Sequence, residues 1–386
     1  MQPQSNSNSN SRKIKIVFLV NDLNFFCSHR LPIAEESKSR GFEVVIGYGE
    51  LGGTEPKLLE DKGFKLRFVP MERGGKNLFK DLKTLFYIWK LFKSEKPNIV
   101  HLITIKPYLY GGIVARLTRV PSLVSAVSGL GTIFIQQDFR AKFLRFMLYP
   151  AYNFAFNHKN QIVIVQNNED AKLLSSWGVL NQKKVKLIRG SGVKLDEFVD
   201  LNEYDSTPIV CFAARFLIDK GLYEFISAAQ ILRQRGLKAR FYLVGGLDEK
   251  NNTGISAQDL RKIEESGNVE VLGFCEDIPK LYAKSHIICL PSYREGLPKA
   301  LIEAAAAGRA VVTTNVPGCR DAIEPDVSGL LVPVMNKKAL ADAIQDLIEN
   351  PEKRRSMGKA GRMLAEKEFR IEKIVNDHID IYKELI

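Results

Sequence analysis

The chain has 386 residues, enough for two domains that each bury a full core, and its composition (45% hydrophobic, 26% charged) excludes a disordered or fibrous protein. No stretch reaches the ~18 consecutive apolar residues of a membrane span, and five scattered cysteines (Cys27, Cys211, Cys275, Cys289, Cys319) without metal-ligand spacing predict free thiols in a reducing cytosol. The net charge of +12 is lopsided, because Met1–Asp205 holds 30 Lys and Arg against 19 Asp and Glu. Without a nucleic-acid-binding motif, such a half points to anionic lipid or a diphosphate-bearing acceptor.

Residues 1–12, rich in Ser and Asn and lacking an apolar signal core, read as a disordered tail. KIKIVFLV predicts a buried first strand, NDLNFFCSHR a loop leading into a helix that ends at Gly41, and FEVVIGYG a second strand. Strand, helix and strand at this spacing form a βαβ unit of a doubly wound domain, in which the loop after the first strand faces ligand. His29 and Arg30 are therefore candidate acceptor contacts, the alternative being that they cap the helix.

Lys76 to Lys96 predicts an amphipathic helix with Leu78, Leu82, Leu85, Phe86, Trp89 and Phe92 on one stripe and Lys80, Lys83, Lys90 and Lys93 outside it. Such a helix either packs its stripe on the sheet with the lysines solvated, or lies on a membrane surface. NIVHLITIKPYLYGG follows as strand, loop and a helix from about Gly111, with Lys106 a candidate acceptor or phosphate contact. The strand in PSLVSAVSGLGTIF runs into a turn where Gly129 and Gly131 permit positive φ and a close backbone approach to a ligand. Between Phe134 and Phe156 eight aromatics mix with Arg140, Lys142 and Arg145, a pattern of core packing or of a surface for lipid headgroups. QIVIVQN is the last strand of this half, and KVKLIRGSGVKLDEF crosses into a linker.

PIVCFAARFLIDKG opens a new βα unit in which Arg215 and Lys220 stand as two unpaired cations after a strand, a diphosphate clamp in principle. FYLVGG is a strand with a glycine turn, and NVEVLGFCEDIPKLYAKSHIICLPS holds two strands and a helix. The run SHIICL then ends at a Pro-Ser turn, followed by Glu295, Gly296, Pro298 and an Ala- and Leu-rich helix whose first residue is expected to be Pro298. Free N–H groups at that helix start form an anion site. Glu295 stands just before it and Glu303 about one and a half turns in, which suits a phosphate-bearing ligand that also carries hydroxyls. TTNVPGCRDAIEPDVSGLLVP adds strand, turn and strand, and amphipathic helices fill the chain from Lys337.

The string PS-x-x-EG-x-P-x-x-x-x-E-A-x-A-x-G-x-x-VV from Pro291 to Val312, together with R-x-x-x-x-KG at Arg215–Gly221, resembles the Glu-x7-Glu signature of the large retaining nucleotide-sugar glycosyltransferase family of GT-B architecture (family 4-like). The resemblance implies an α/β fold of two doubly wound, Rossmann-like domains facing a cleft. Residues 13–200 would bind acceptor, 201–370 nucleotide sugar, and 371–386 would form a helix crossing back to the first domain. It implies catalytic roles for Arg215, Lys220 and Glu295, with both cations and the helix start near Gly296 stabilising the departing diphosphate and Glu295 contacting hydroxyls of the donor sugar. Glu303 would hold the ribose, the backbone at Gly273 and Phe274 and the apolar side of Ile278 would flank the base, and Gly129, Gly131, Gly245, Leu297 and Pro298 would complete the donor site.

Two positions depart from better-known branches: Ile103 replaces a second histidine beyond His101, and Ser128, here a candidate acceptor contact, replaces a histidine near the reacting carbon. No Asp-x-Asp occurs, so neither metal nor cofactor is expected. SGLGTIF looks like the branch that elongates polyprenyl-diphosphate-linked saccharides, N-acetylgalactosaminyltransferases among them. The expectation is a retaining transfer of hexose or N-acetylhexosamine, from a UDP-sugar to a lipid-linked saccharide, at the inner face of the cytoplasmic membrane. A soluble acceptor and a non-catalytic nucleotide-sugar binding module are the alternatives.

Overall fold

The structure, a computed structural model, describes residues 13–72, 77–130, 139–199, 201–249 and 251–386. The expected N-terminal tail, Gly131 and Phe134 lie outside the described residues. The first sheet is built from β1 (Lys15–Asp22), β2 (Glu43–Glu50), β3 (Lys65–Phe68), β4 (Ile99–Ile103), β5 (Ser122–Val127), β6 (Gln161–Val165) and β7 (Val185–Leu187), in the order 3-2-1-4-5-6-7. Its helices are α1 (Leu23–His29), α2 (Leu31–Ser39), α3 (Pro56–Asp61), α4 (Leu78–Glu95), α5 (Gly112–Thr118), α6 (Phe139–Phe156) and α7 (Asn168–Ser176). The second sheet runs parallel in the order 10-9-8-11-12-13, from β8 (Ile209–Ala213), β9 (Arg240–Val244), β10 (Glu270–Gly273), β11 (Ile287–Leu290), β12 (Ala310–Thr314) and β13 (Gly329–Val332). Around it stand α8 (Leu222–Gln234), α9 (Ala257–Glu265), α10 (Ile278–Lys284), α11 (Lys299–Ala306), α12 (Lys337–Glu349) and α13 (Pro351–Leu364), and α14 (Ile371–Glu384) closes the chain.

The chain forms two compact units. One takes the described residues up to Ala126 with Pro150–Ile162 and Ile379–Ile386, and the other takes Val127–Tyr149 and Val163–His378.

In the first unit β1 is central: Ile16 to Val20 are wholly buried, the continuous apolar run of a strand covered on both faces. The segment expected to be a loop after it is helical instead. The Asp22 carboxylate accepts from the Phe25 N–H at 2.8 Å and starts α1 directly off the strand, and Pro32 in the first turn of α2 starts a second short helix. Two edge strands, Lys-Leu-Arg-Phe at β3 and Val-Lys-Leu at β7, are too short to show a period in the sequence, and the latter lies within the expected crossing segment.

Helix α4 corrects the expectation that its Leu/Phe/Trp stripe packs on the sheet. The buried face is Thr84, Ile88, Leu91, Phe92 and Glu95, while Leu78, Phe79, Leu82, Phe86 and Trp89 are exposed, Phe79 at 83%. The helix is thus apolar on two sides, with lysines between them. Its start is fixed by Asn77, whose side chain accepts from the N–H groups of Phe79 and Lys80. The end of the chain belongs to this unit's core. The Tyr382 hydroxyl lies 2.6 Å from His101 Nδ1, both residues being buried, and the Leu385 carbonyl accepts from Ser122 Oγ at 2.7 Å and Asn160 Nδ2 at 2.9 Å. His101 therefore serves the interior.

In the second unit the strand order reverses between β8 and β11, and the chain leaves both at their carboxyl ends. That crevice is where a doubly wound sheet gathers ligand-binding loops. Among the described residues, no helix is long and apolar enough to cross a membrane.

Candidate active site

Two loops of the second unit, one after β8 and one after β11, are stitched to each other. Tyr293 N–H and Ser292 Oγ both donate to the Asp219 carbonyl, at 2.8 and 3.0 Å, and the Tyr293 hydroxyl donates to Glu224 Oε1 at 2.8 Å. Thr313 and Thr314 of β12 donate to the carbonyls of Leu290 and Ser292, so the exit of β11 is held from its other side as well. The glycine after Lys220 is a steric requirement of this junction: Gly221 has φ +76° and a Cβ there would lie 2.1 Å from the Pro291 carbonyl oxygen.

This stitching brings together residues 75 positions apart. Lys220 Nζ is ion-paired with Glu295 Oε1, both side chains being mostly buried. Arg215, more exposed, pairs with Asp248. The reading of two unpaired cations is thereby corrected: each has a carboxylate of its own unit, and a diphosphate arriving here would compete with those carboxylates for both cations.

The turn carrying Glu295 and Gly296 is clamped by the segment between β6 and α7. Asn167 caps α7 by accepting from the Asp170 N–H at 2.8 Å, and its Nδ2 donates to the Gly296 carbonyl at 2.9 Å. The wholly buried Asp170 carboxylate is ion-paired with Arg294. Burial pushes the Asp170 carboxyl above the usual range, with Arg294 pulling the other way. A Cβ on Gly296 would lie 2.3 Å from the Ser128 carbonyl oxygen and 2.5 Å from Gln166 Oε1, so only glycine allows this approach. Ser128 and Gly129 are thus brought to the Gly296 backbone.

Helix α11 begins one residue later than expected, with Pro298 in extended conformation as its cap and not as its first residue. Its carbonyl accepts from the Leu301 N–H at 3.1 Å, and Leu297 before it is buried. Glu303, one turn in, pairs with Lys299 at 3.3 Å. Burial raises its carboxyl above the ordinary range, and the nearby Lys299 opposes that only in part. Gly245 N–H donates to the Gly273 carbonyl at 2.8 Å, joining two of the expected donor-site glycines. Phe274 beside them is 77% exposed, and half-buried Ile278 opens α10, which Asp277 caps.

The first-unit candidates sit apart from one another in role. His29 stacks on Phe25 at 4.1 Å between centroids, with Nδ1 2.6 Å from Ser28 Oγ, in the last turn of α1. Arg30 is 1% exposed and donates to the His29 carbonyl, and burial pushes its guanidinium down to about 10, opposed by Tyr382. Lys106 pairs with Asp81 at 3.1 Å. Among the described residues no group of three or more His, Cys, Asp or Glu side chains is arranged to hold a metal ion.

Asn167, Asp170, Arg294 and Asp248 were not singled out from sequence. An Asn followed three residues later by Asp, directly after the strand QIVIVQ, was the available sign of a capped helix.

Residues 193–363 match the family described as glycosyl transferases group 1, and residues 15–167 match glycosyl transferase 4-like. An N,N'-diacetylbacillosaminyl-diphospho-undecaprenol alpha-1,3-N-acetylgalactosaminyltransferase of Campylobacter jejuni is 32% identical, over 86% of this chain and 88% of its own. A UDP-Gal:alpha-D-GlcNAc-diphosphoundecaprenol alpha-1,3-galactosyltransferase of Escherichia coli is 25% identical, over 74% of this chain and 75% of its own. The solved structure of a glycosyltransferase from Rickettsia africae superposes with a TM-score of 0.74 at 20% identity, covering 97% of this chain and 99% of that one.

Proposed function

The chain is a glycosyltransferase of the group 1, family 4-like kind, and from there we propose that it transfers a hexose or N-acetylhexosamine from a UDP-sugar to a polyprenyl-diphosphate-linked saccharide, with retention at the anomeric carbon. The observation that carries the reading is the Lys220–Glu295 pair, held where the loops after β8 and β11 meet and just before the start of α11. As the sugar–phosphate bond breaks, negative charge grows on the leaving diphosphate. Lys220, Arg215 and the N–H groups at the head of α11 stabilise it, a preorganised electrostatic contribution that needs no reorganisation at the moment of reaction. Glu295, released from Lys220 as phosphate takes its place, accepts from hydroxyls of the donor sugar, and Glu303 from the ribose. The cations do here what a bridging metal does elsewhere.

The acceptor half of the proposal is supported by the two undecaprenol-diphosphate relatives and by the chain's own surface. On α4, Leu78, Phe79, Leu82, Phe86 and Trp89 stand exposed beside Lys83 and Lys90, and on α6 Phe139, Phe143, Phe146 and Met147 are exposed. Exposed apolar and aromatic side chains flanked by lysines suit the inner face of an anionic membrane, where the enzyme would sit peripherally.

The test is nucleotide release from a panel of UDP-, GDP- and ADP-sugars with and without a polyprenyl-diphosphate-linked saccharide. Release from one UDP-sugar that rises sharply with the lipid-linked acceptor is expected. Equal release with a soluble sugar acceptor would replace the acceptor assignment, and binding without release under any condition would replace the enzyme reading with a binding module.

A further inference from the structure

A pocket of about 340 Å³ opens on the first unit at the carboxyl ends of β2 and β3, beside the first turns of α4. Its volume lies at the lower end of the range for small-molecule sites, which are mostly apolar with a few placed polar groups. Phe68, Pro70 and Met71 give it an apolar wall, and the Thr84 hydroxyl behind them is already engaged by the carbonyls of Pro70 and Lys80. Around it stand Lys80, Lys83 and Lys106 against Glu50, Glu72 and Asp81, so the lining carries no net charge. Lys80 pairs with Glu72 at 2.6 Å and Lys106 with Asp81 at 3.1 Å. An anion would meet no net attraction here, whereas a hydrocarbon chain would bury apolar surface. The exposed apolar residues Leu78, Phe79, Leu82 and Phe86 stand on the same first turns of α4, across the helix from the pocket-lining Lys80, Lys83 and Thr84.

We propose that this pocket takes part of the isoprenoid chain of the lipid-linked acceptor, while the exposed stripe on the other side of α4 meets the lipid surface. The inference rests on the acceptor reading above and gives Lys106 a different place from the one its sequence position suggested: with Asp81 it forms the polar side of a chain site instead of contacting phosphate. Phe68 is the residue to test, since it is 59% exposed on an edge strand and its truncation leaves the core intact.

Binding of farnesyl diphosphate and of an unbranched alkyl diphosphate of equal chain length is measured by equilibrium dialysis, and transfer to saccharides on the same two chains is measured alongside. The intact protein is expected to favour the isoprenoid about tenfold, the scale of one or two well-buried carbon groups. Phe68→Ala should remove that preference with an unchanged melting temperature and unchanged slow donor hydrolysis. Leu117→Ser, exposed on α5 and outside the pocket, should leave it intact. A preference that survives Phe68→Ala, or none in the intact protein, overturns the pocket assignment while the acceptor reading stands. Phe68-dependent isoprenoid binding with no transfer to any lipid-linked saccharide overturns the acceptor role instead.

Discussion

Asn167 Nδ2 donates to the Gly296 carbonyl oxygen at 2.9 Å while the same side chain's oxygen caps α7, so one amide fixes both the start of a helix and the turn that presents Glu295. Three residues on, Asp170 holds Arg294 of that turn. The two contacts make the position of Glu295 depend on residues that would touch no substrate.

Breaking this clamp should therefore cost both stability and donor use. Asp170→Ala leaves Arg294 without its buried partner, which costs about 3 kcal/mol by the usual measure of such pairs. Asn167→Ala removes a cap and a hydrogen bond to a buried carbonyl, about 1–2 kcal/mol. Denaturant melts should rank the two in that order. Steady-state kinetics of Asn167→Ala should show a lowered kcat/KM for donor, and wild-type kinetics would separate the clamp from the chemistry.

Lys220 and Glu295 are in contact, so their substitutions should not add. Lys220→Met is expected to lower kcat by about a hundredfold or more, the scale of one lost electrostatic stabiliser. Glu295→Gln lowers kcat/KM, and the double variant should be no worse than Lys220→Met within a few fold. Arg215→Ala, with its more exposed side chain and its separate Asp248 partner, should lose less stability but still lose turnover. Additive losses in a double-mutant cycle would mean the pair has no shared role.

Gly221→Ala is a purely steric test. The left-handed φ and the 2.1 Å approach to the Pro291 carbonyl should make it destabilising by more than about 1 kcal/mol and should displace the loop that carries Lys220. A melting temperature equal to that of the parent would mean the junction relaxes freely.

How much of this was legible follows from distance along the chain. The stretch from Pro291 to Val312 could be read because its turn, its two glutamates and its Ala-rich helix are consecutive, and the parallel strands because they are unbroken apolar runs such as Ile287–Leu290. The Lys220–Glu295 pair could not, since each residue's partner is set by which two strands flank the switch point. Which side of helix α4 is buried stays hidden in the sequence for a different reason. A period locates apolar faces, but Ile88, Leu91 and Phe92 on one side and Leu82, Phe86 and Trp89 on the other both satisfy it, and only packing chooses between them. The helix after β1 was hidden because Asn-Asp is as good a turn signal as a cap, and here Asp22 caps.

Glu303 carries a pH signature with a definite sign. Its carboxyl lies above the ordinary range because burial outweighs Lys299, so the folded state holds its proton to higher pH than the unfolded chain does. Stability from this group is then greatest below the unfolded carboxylate range and falls as pH rises through the folded value. Glu303→Gln removes that slope. The variant should match the parent or melt higher at neutral pH, and it should bind donor more weakly if the carboxylate holds the ribose. A parent and variant with parallel stability-against-pH curves would show that Glu303 does not titrate differently on folding.

The exposed face of α4 makes the membrane part of the proposal separable from catalysis. Phe86→Asp and Trp89→Asp change side chains that are 59% and 43% exposed and that lie away from the helix's buried face of Ile88, Leu91 and Phe92. Folding and donor hydrolysis should therefore be untouched. Flotation with vesicles containing anionic lipid should bring up the parent protein at low salt, less of it at high salt because the lysines' contribution is screened, and little of the double variant at either. Neutral vesicles should bring up less than anionic ones, since the apolar stripe alone is short. The decisive comparison is transfer in two settings: with acceptor embedded in vesicles the double variant should be slow, and with a short-chain acceptor free in solution it should match the parent. Equal loss in both would place these side chains in the substrate site and not at the lipid surface. No loss in either would leave the stripe without a membrane role.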